Sequence, residues 1–71
     1  MAAMRLFEPQ DLEDALEMLD CTKTEINTDT ATYWRTENNT LFSVPEPDEL
    51  SGMHSDSVYF RLISFAQQHK G

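Results

Sequence analysis

Apolar residues in this chain follow the helical period at both ends and the strand period between them. From Pro9 to Asp20, the residues Leu12, Ala15, Leu16 and Leu19 recur at i, i+3, i+4 and i+7. That is the stripe of an amphipathic helix. Pro9 suits the first helical position, where its missing N–H costs nothing. Asp11, Glu13 and Asp14 suit the positive end of the helix dipole. The spacing predicts a helix over Pro9 to Asp20, with Met18 off the stripe and partly exposed.

The middle of the chain changes period. Cys21 or Thr22 through Ile26 reads as an extended piece, and Thr28-Asp29-Thr30 as a turn. Thr30 to Thr36 is dense in β-branched and aromatic residues, which fit a pleated surface. Alternation points Thr32, Trp34 and Thr36 one way and Ala31, Tyr33 and Arg35 the other; which set faces the core is open at this level. Glu37-Asn38-Asn39 predicts a hairpin turn, because Asn tolerates a positive φ. Thr40 to Val44 is the partner strand, stopped by Pro45 and Pro47. Pro45 to His54 reads as a polar loop. Ser55 or Asp56 then offers an N-cap, and Val58, Tyr59, Leu62, Ile63, Phe65, Ala66 and His69 form a broad helical stripe. Lys70 suits the negative end of that helix, and Gly71 can end it.

The predicted order is therefore helix, strand, strand, strand, helix. The expected fold class is α+β, with two helices on one face of a small three-stranded antiparallel sheet. The opposite sheet face is left open to solvent or a partner. Residues 1–71 form a single small domain, with 1–5 as a loose start. Met4 offers a second initiator, and Met4 to Phe7 is a short apolar lead-in that packs on the core.

Composition narrows the function classes. A chain of 71 residues buries about 60% of its unfolded surface, so its core is marginal. Thirteen acidic residues face five Lys and Arg, for a formal charge of −8. A phosphate-binding surface needs clustered cations, so direct nucleic-acid binding is disfavoured. A single cysteine excludes an internal disulfide and any multi-cysteine metal site. No apolar run approaches the roughly 20 residues of a membrane span, and the N-terminus does not resemble a signal peptide. The expectation is an acidic cytoplasmic protein with no membrane partner.

One segment carries a family resemblance. Leu41-Phe42-Ser43-Val44-Pro45-Glu46-Pro47, running on to Leu50, resembles the valine-proline step that ends the second hairpin strand of HicA-like proteins. Tyr33 in the preceding strand and the overall element order are compatible with it. The resemblance implies a fold related to double-stranded RNA-binding domains, and a ribonuclease toxin activity. The chain departs from that family where the chemistry lies. Alignment through Val44-Pro45 places Thr30 at the family's histidine, and Thr is no acid or base near neutral pH. Glu46, Asp48 and Glu49 stand where the family's basic residues would be, and would repel phosphate.

Other candidate chemistry is sparse. His54 has Ser51, Ser55, Asp48, Glu49 and Asp56 nearby in sequence, but no nucleophile-elbow pattern surrounds a serine, so no catalytic residue is assigned. Glu46, Asp48, Glu49 and Asp56 do not follow the calcium-loop spacing and read as a solvated acidic loop. No metal or cofactor is expected. Cys21 follows a helix C-terminus, where the dipole raises a thiol's pKa, which points to a structural role. His69 reads as a cap or a partly buried tail residue.

The distinctive feature is the run Glu8, Asp11, Glu13, Asp14, Glu17 and Asp20, with no Lys or Arg between them to form i,i+4 pairs. The expected function is non-enzymatic: a protein-binding module or inhibitor that docks on a basic partner and mimics nucleic-acid charge. The partner class is a nuclease or another nucleic-acid-binding protein. The contact set is Asp11, Glu13, Asp14, Glu17 and Asp20, with Tyr33, Trp34 and Arg35 as a packed contact. The alternatives are a HicA-like RNA-binding ribonuclease, or a small subunit of a homodimer or larger complex.

Overall fold

A computed structural model describes residues 5–70. In chain order the elements are β1 (Leu6–Phe7), α1 (Pro9–Met18), β2 (Thr22–Asn27), β3 (Ala31–Arg35), β4 (Leu41–Pro45), β5 (His54–Ser55) and α2 (Asp56–Gln68). Strands β2, β3 and β4 form an antiparallel sheet in that order, and β1 pairs antiparallel with β5 in a separate ribbon. The α+β class, the two helices and the three-stranded sheet match the sequence reading. The order does not match in full, because the β1–β5 ribbon is added. Part of the expected loop before α2 is thus strand. Residues 1–4 of the loose start expected at 1–5, and Gly71, expected to end the last helix, lie outside the described residues.

Helix α1 starts at Pro9 behind an extended Glu8, and its C-cap is Leu19, so it is shorter than the spacing predicts. The ending is chemical. Asp20 takes a left-handed φ of 64°. Its N–H donates to Glu17 at 3.0 Å, and the Cys21 N–H donates to Leu16 at 3.0 Å. This is a Schellman motif with Asp where Gly is usual. Its accompanying apolar contact is between Leu16 and Cys21, both buried.

The β3–β4 hairpin closes on a three-residue loop, Glu37-Asn38-Asn39. The Asn39 N–H donates to Thr36 at 2.9 Å, and Asn39 holds a φ of 73°. This is the type I turn followed by a left-handed residue that such loops favour. Pro45 ends β4 from within, opposite Ala31. Its missing N–H faces away from β3, so no ladder bond is lost. Beyond it the Glu46 N–H still donates to Thr30 at 3.0 Å. Strand β2 is irregular: its register against β3 shifts between Lys23 and Asn27. There the Thr24 hydroxyl donates to the Tyr33 carbonyl at 2.7 Å and accepts from the Ile26 N–H at 3.1 Å.

The core lies between the sheet and both helices. Trp34, Phe42 and Val44 share one sheet face and pack with Leu12 and Leu16 of α1 and Leu62 and Ala66 of α2. Ser55 is the N-cap of α2 and accepts from Val58 at 3.4 Å. The ribbon fastens the first strand to this helix. Phe7 stacks on Tyr59 with ring centroids 3.9 Å apart, and Phe60 meets Phe7 edge-on at 5.8 Å. Among the described residues, no helix is long and apolar enough to cross a membrane.

Candidate functional site

The outward face of α1 carries the run of carboxylates singled out in the sequence. At 3.6 residues per turn, burying Leu12 and Leu16 turns Asp14 directly outward, with Asp11 and Glu17 on its two flanks. Asp11, Asp14, Glu17 and Asp20 are all exposed, and Glu13 is half-buried. Two acids gain cations from other elements, which the helix sequence alone did not indicate. Glu13 lies 3.9 Å from Lys23 of β2, and Asp20 lies 3.8 Å from Lys70 beyond α2. Such exposed pairs contribute about 0–1 kcal/mol. Among the described residues, Glu8, Asp11, Asp14 and Glu17 have no ion pair. Asp14 instead accepts a 2.9 Å bond from the Gln10 amide. Beside them stands Met18, 82% exposed, an apolar side chain at the end of an acidic face.

The aromatic part of the expected contact set does not join this face. Trp34 is only 2% exposed and is one of the largest fully buried side chains. It is a core residue, and its assignment as a contact residue is corrected. The reason is alternation: with Trp34 facing the helices, Tyr33 and Arg35 face the opposite side of the sheet. They are half-buried there, with Leu41 and Ser43 as their neighbours across the hairpin. The α1 carboxylates and the Tyr33–Arg35 pair thus lie on opposite sides of the molecule. No single flat partner surface covers both.

His54 is 5% exposed, in strand β5 instead of a polar loop. It lines two adjoining clefts of about 220 and 300 Å³ that share Pro45 and Glu46. Burial holds its pKa below the ordinary histidine value, against the opposing pull of Glu46. Among the described residues, no side-chain hydrogen bond joins it to a Ser or an Asp. The Ser55 hydroxyl caps α2, and Asp48 accepts from the Leu50 N–H at 2.7 Å. Cys21 is buried as well. Burial pushes its thiol pKa up, and the charges of Asp20 and Glu37 add to the effect. Burial leads these causes.

The other buried polar side chain is fully satisfied. The Thr36 hydroxyl donates to Asn38 Oδ1 at 2.6 Å and accepts from the Thr40 N–H at 3.0 Å. The Thr40 hydroxyl donates to the same Asn38 oxygen at 2.8 Å. His69 is the C-cap of α2, as the sequence suggests, and its ring packs on Phe65 at 4.3 Å.

Thr30, the position aligned with the HicA-like histidine, is exposed in the turn between β2 and β3. Its N–H donates to the Thr28 hydroxyl at 3.3 Å. Glu46, Asp48 and Glu49 are exposed after β4. Compared with protein-family models, curated proteins and solved structures, the chain matches none.

Proposed function

We propose that this chain is a small, non-enzymatic binding module of the cytoplasm that seats α1 on a basic surface of another protein. The partner class is a nuclease or another nucleic-acid-binding protein, whose groove the carboxylates occupy as phosphates would. The observation that carries the reading is the exposed run Asp11, Asp14 and Glu17, unpaired among the described residues and adjoining the exposed Met18. The carboxylates steer the encounter over long range. Met18 supplies the apolar contact once water is expelled, because its flexible thioether adapts to an irregular surface. Tyr33 and Arg35 take no part in this contact, since they lie across the sheet.

The test is capture of partners by the tagged protein, at low and high salt and with and without nuclease. A triple variant, Asp11→Lys, Asp14→Lys and Glu17→Lys, runs beside it. The expected result is a protein partner that survives nuclease, weakens with salt and is lost with the triple variant. Co-purifying RNA that disappears with nuclease would sink this reading and favour a HicA-like ribonuclease. A partner-free dimer by light scattering would favour the homo-oligomer.

A further inference from the structure

The two edges of the main sheet are built differently. The β2 edge is irregular in register and carries Lys23 and Glu25, two devices that deter strand addition. The β4 edge has neither, and its one blocking residue, Pro45, stands at the strand's last position, beyond Leu41 and Ser43. Its sequence, Leu41-Phe42-Ser43-Val44-Pro45, is uncharged and in unbroken register with β3.

The hydrogen-bond phase of that hairpin decides what β4 offers. Thr36 bonds to Thr40 at one end and Glu46 to Thr30 at the other. Narrow and wide pairs alternate in an antiparallel ladder, so Trp34–Phe42 and Thr32–Val44 are the bonded pairs. Leu41 and Ser43 therefore turn both N–H and C=O away from β3. Among the described residues nothing accepts or donates to these groups.

An open groove of about 460 Å³ runs along this edge. Tyr33, Leu41 and Ser43 line it from the outer sheet face, and Phe42, Leu62 and Phe65 from the helix side. Arg61 of α2 lies at its wall. In a chain of net charge −8, Lys23 and Lys70 are ion-paired and Arg5 lies over the Phe7 ring. Among the described residues Arg61 has no ion pair or hydrogen bond, and Arg35, opposite Leu41, bonds only Asn39 at 3.3 Å. Of the three cations without an acidic partner among the described residues, Arg5 is taken up by the Phe7 ring, and Arg35 and Arg61 stand beside this edge.

We propose that the free edge of β4 binds an extended peptide segment of another protein that bears a carboxylate, adding it to the sheet as a further strand. Leu41 and Ser43 each exchange a pair of backbone hydrogen bonds with the peptide. The residue opposite Phe42 packs an apolar side chain against Leu62 and Phe65, and a carboxylate two positions along, on the same face, meets Arg61. A second copy of the chain is the poorer occupant, since two bodies of charge −8 repel. This site is separate from the α1 face, and either can fail without the other.

The test is selection of a displayed random heptapeptide library on the immobilised full chain. Enriched peptides are then made and titrated by fluorescence polarisation. The expected peptides alternate apolar residues and carry an Asp or Glu. Ser43→Pro removes an outward N–H that no ladder bond uses, and should abolish binding. Arg61→Glu, at an exposed helix position, should weaken binding about tenfold or more, with recovery when the peptide's acid becomes Lys. The Asp11→Lys, Asp14→Lys, Glu17→Lys variant should bind these peptides at least as tightly as the unaltered chain. Failure to enrich any peptide would overturn the proposal, as would peptides that bind all variants alike. A dimer that Ser43→Pro returns to monomer would overturn it in favour of a second copy.

Discussion

The amide of Asn38 donates to the carbonyl of His69 at 3.2 Å, which ties the β3–β4 turn to the end of α2. The Asn38 side-chain oxygen works in the opposite direction, accepting from the hydroxyls of Thr36 and Thr40, while its Nδ2 reaches His69 Nδ1 at 3.4 Å. One residue thus satisfies a buried polar group and joins two elements distant in sequence. Asn38→Ala keeps the backbone bond and removes the shared acceptor. The Thr36 hydroxyl, in a residue 4% exposed, then has no side-chain acceptor. The expected loss is about 1–3 kcal/mol. Urea unfolding measures it. In a Thr36→Val background the same change should cost clearly less.

Asp20 carries a left-handed conformation that Gly adopts without strain. It also places a negative charge at the negative end of α1. Asp20→Gly is expected to stabilise by about 0.5–1 kcal/mol, even with loss of the exposed contact to Lys70. Asp20→Val should destabilise. Thermal denaturation of the two variants side by side gives the sign, and equal midpoints would refute the strain account.

Trp34 and Tyr33 are sequence neighbours with opposite roles. Trp34→Ala removes the largest core side chain, at about 3–5 kcal/mol. A chain of 71 residues has about 4–11 kcal/mol in total at the usual stability per residue. The variant should therefore lose roughly a quarter or more of the native stability, which urea unfolding reads. Tyr33→Ala should cost much less. The emission of Trp34 should be blue-shifted in the native protein and move to the red on unfolding, which fluorescence reads directly.

The pH dependence should carry the signature of His54. Burial lowers its pKa in the folded state, so the unfolded chain takes up a proton first as pH falls. Stability is therefore lost on acidification below the ordinary histidine value of roughly 6.5. The loss is complete once pH is below the folded-state value. Relief of carboxylate repulsion acts in the other direction, so the test is a comparison. Between pH 7.5 and pH 5, the urea midpoint of His54→Gln should fall less than that of the unaltered chain.

Much of this was readable from local chemistry. The stripe of Leu12, Leu16 and Leu19, the turn at Asn39 and an N-cap at Ser55 or Asp56 each depend on residues a few positions apart, and all three are present in the structure, with Ser55 as the cap. The ribbon was not readable, because two-residue strands have no alternation to detect and Phe7 pairs with His54 across most of the chain. The acidic face was readable in composition but not in pairing, since its cations, Lys23 and Lys70, come from other elements.

The sequence by itself determined where the two helices and the three strands of the main sheet run, and that one helix face is acidic. The choice between Trp34 and Tyr33 for the core belonged to the tertiary structure. Period-two alternation is symmetric about the strand, and only packing against Leu12, Leu16, Leu62 and Ala66 breaks that symmetry. The same holds for the free edge of β4. A strand's outward hydrogen bonds are defined only once its partner and register are set, and those are properties of the folded chain.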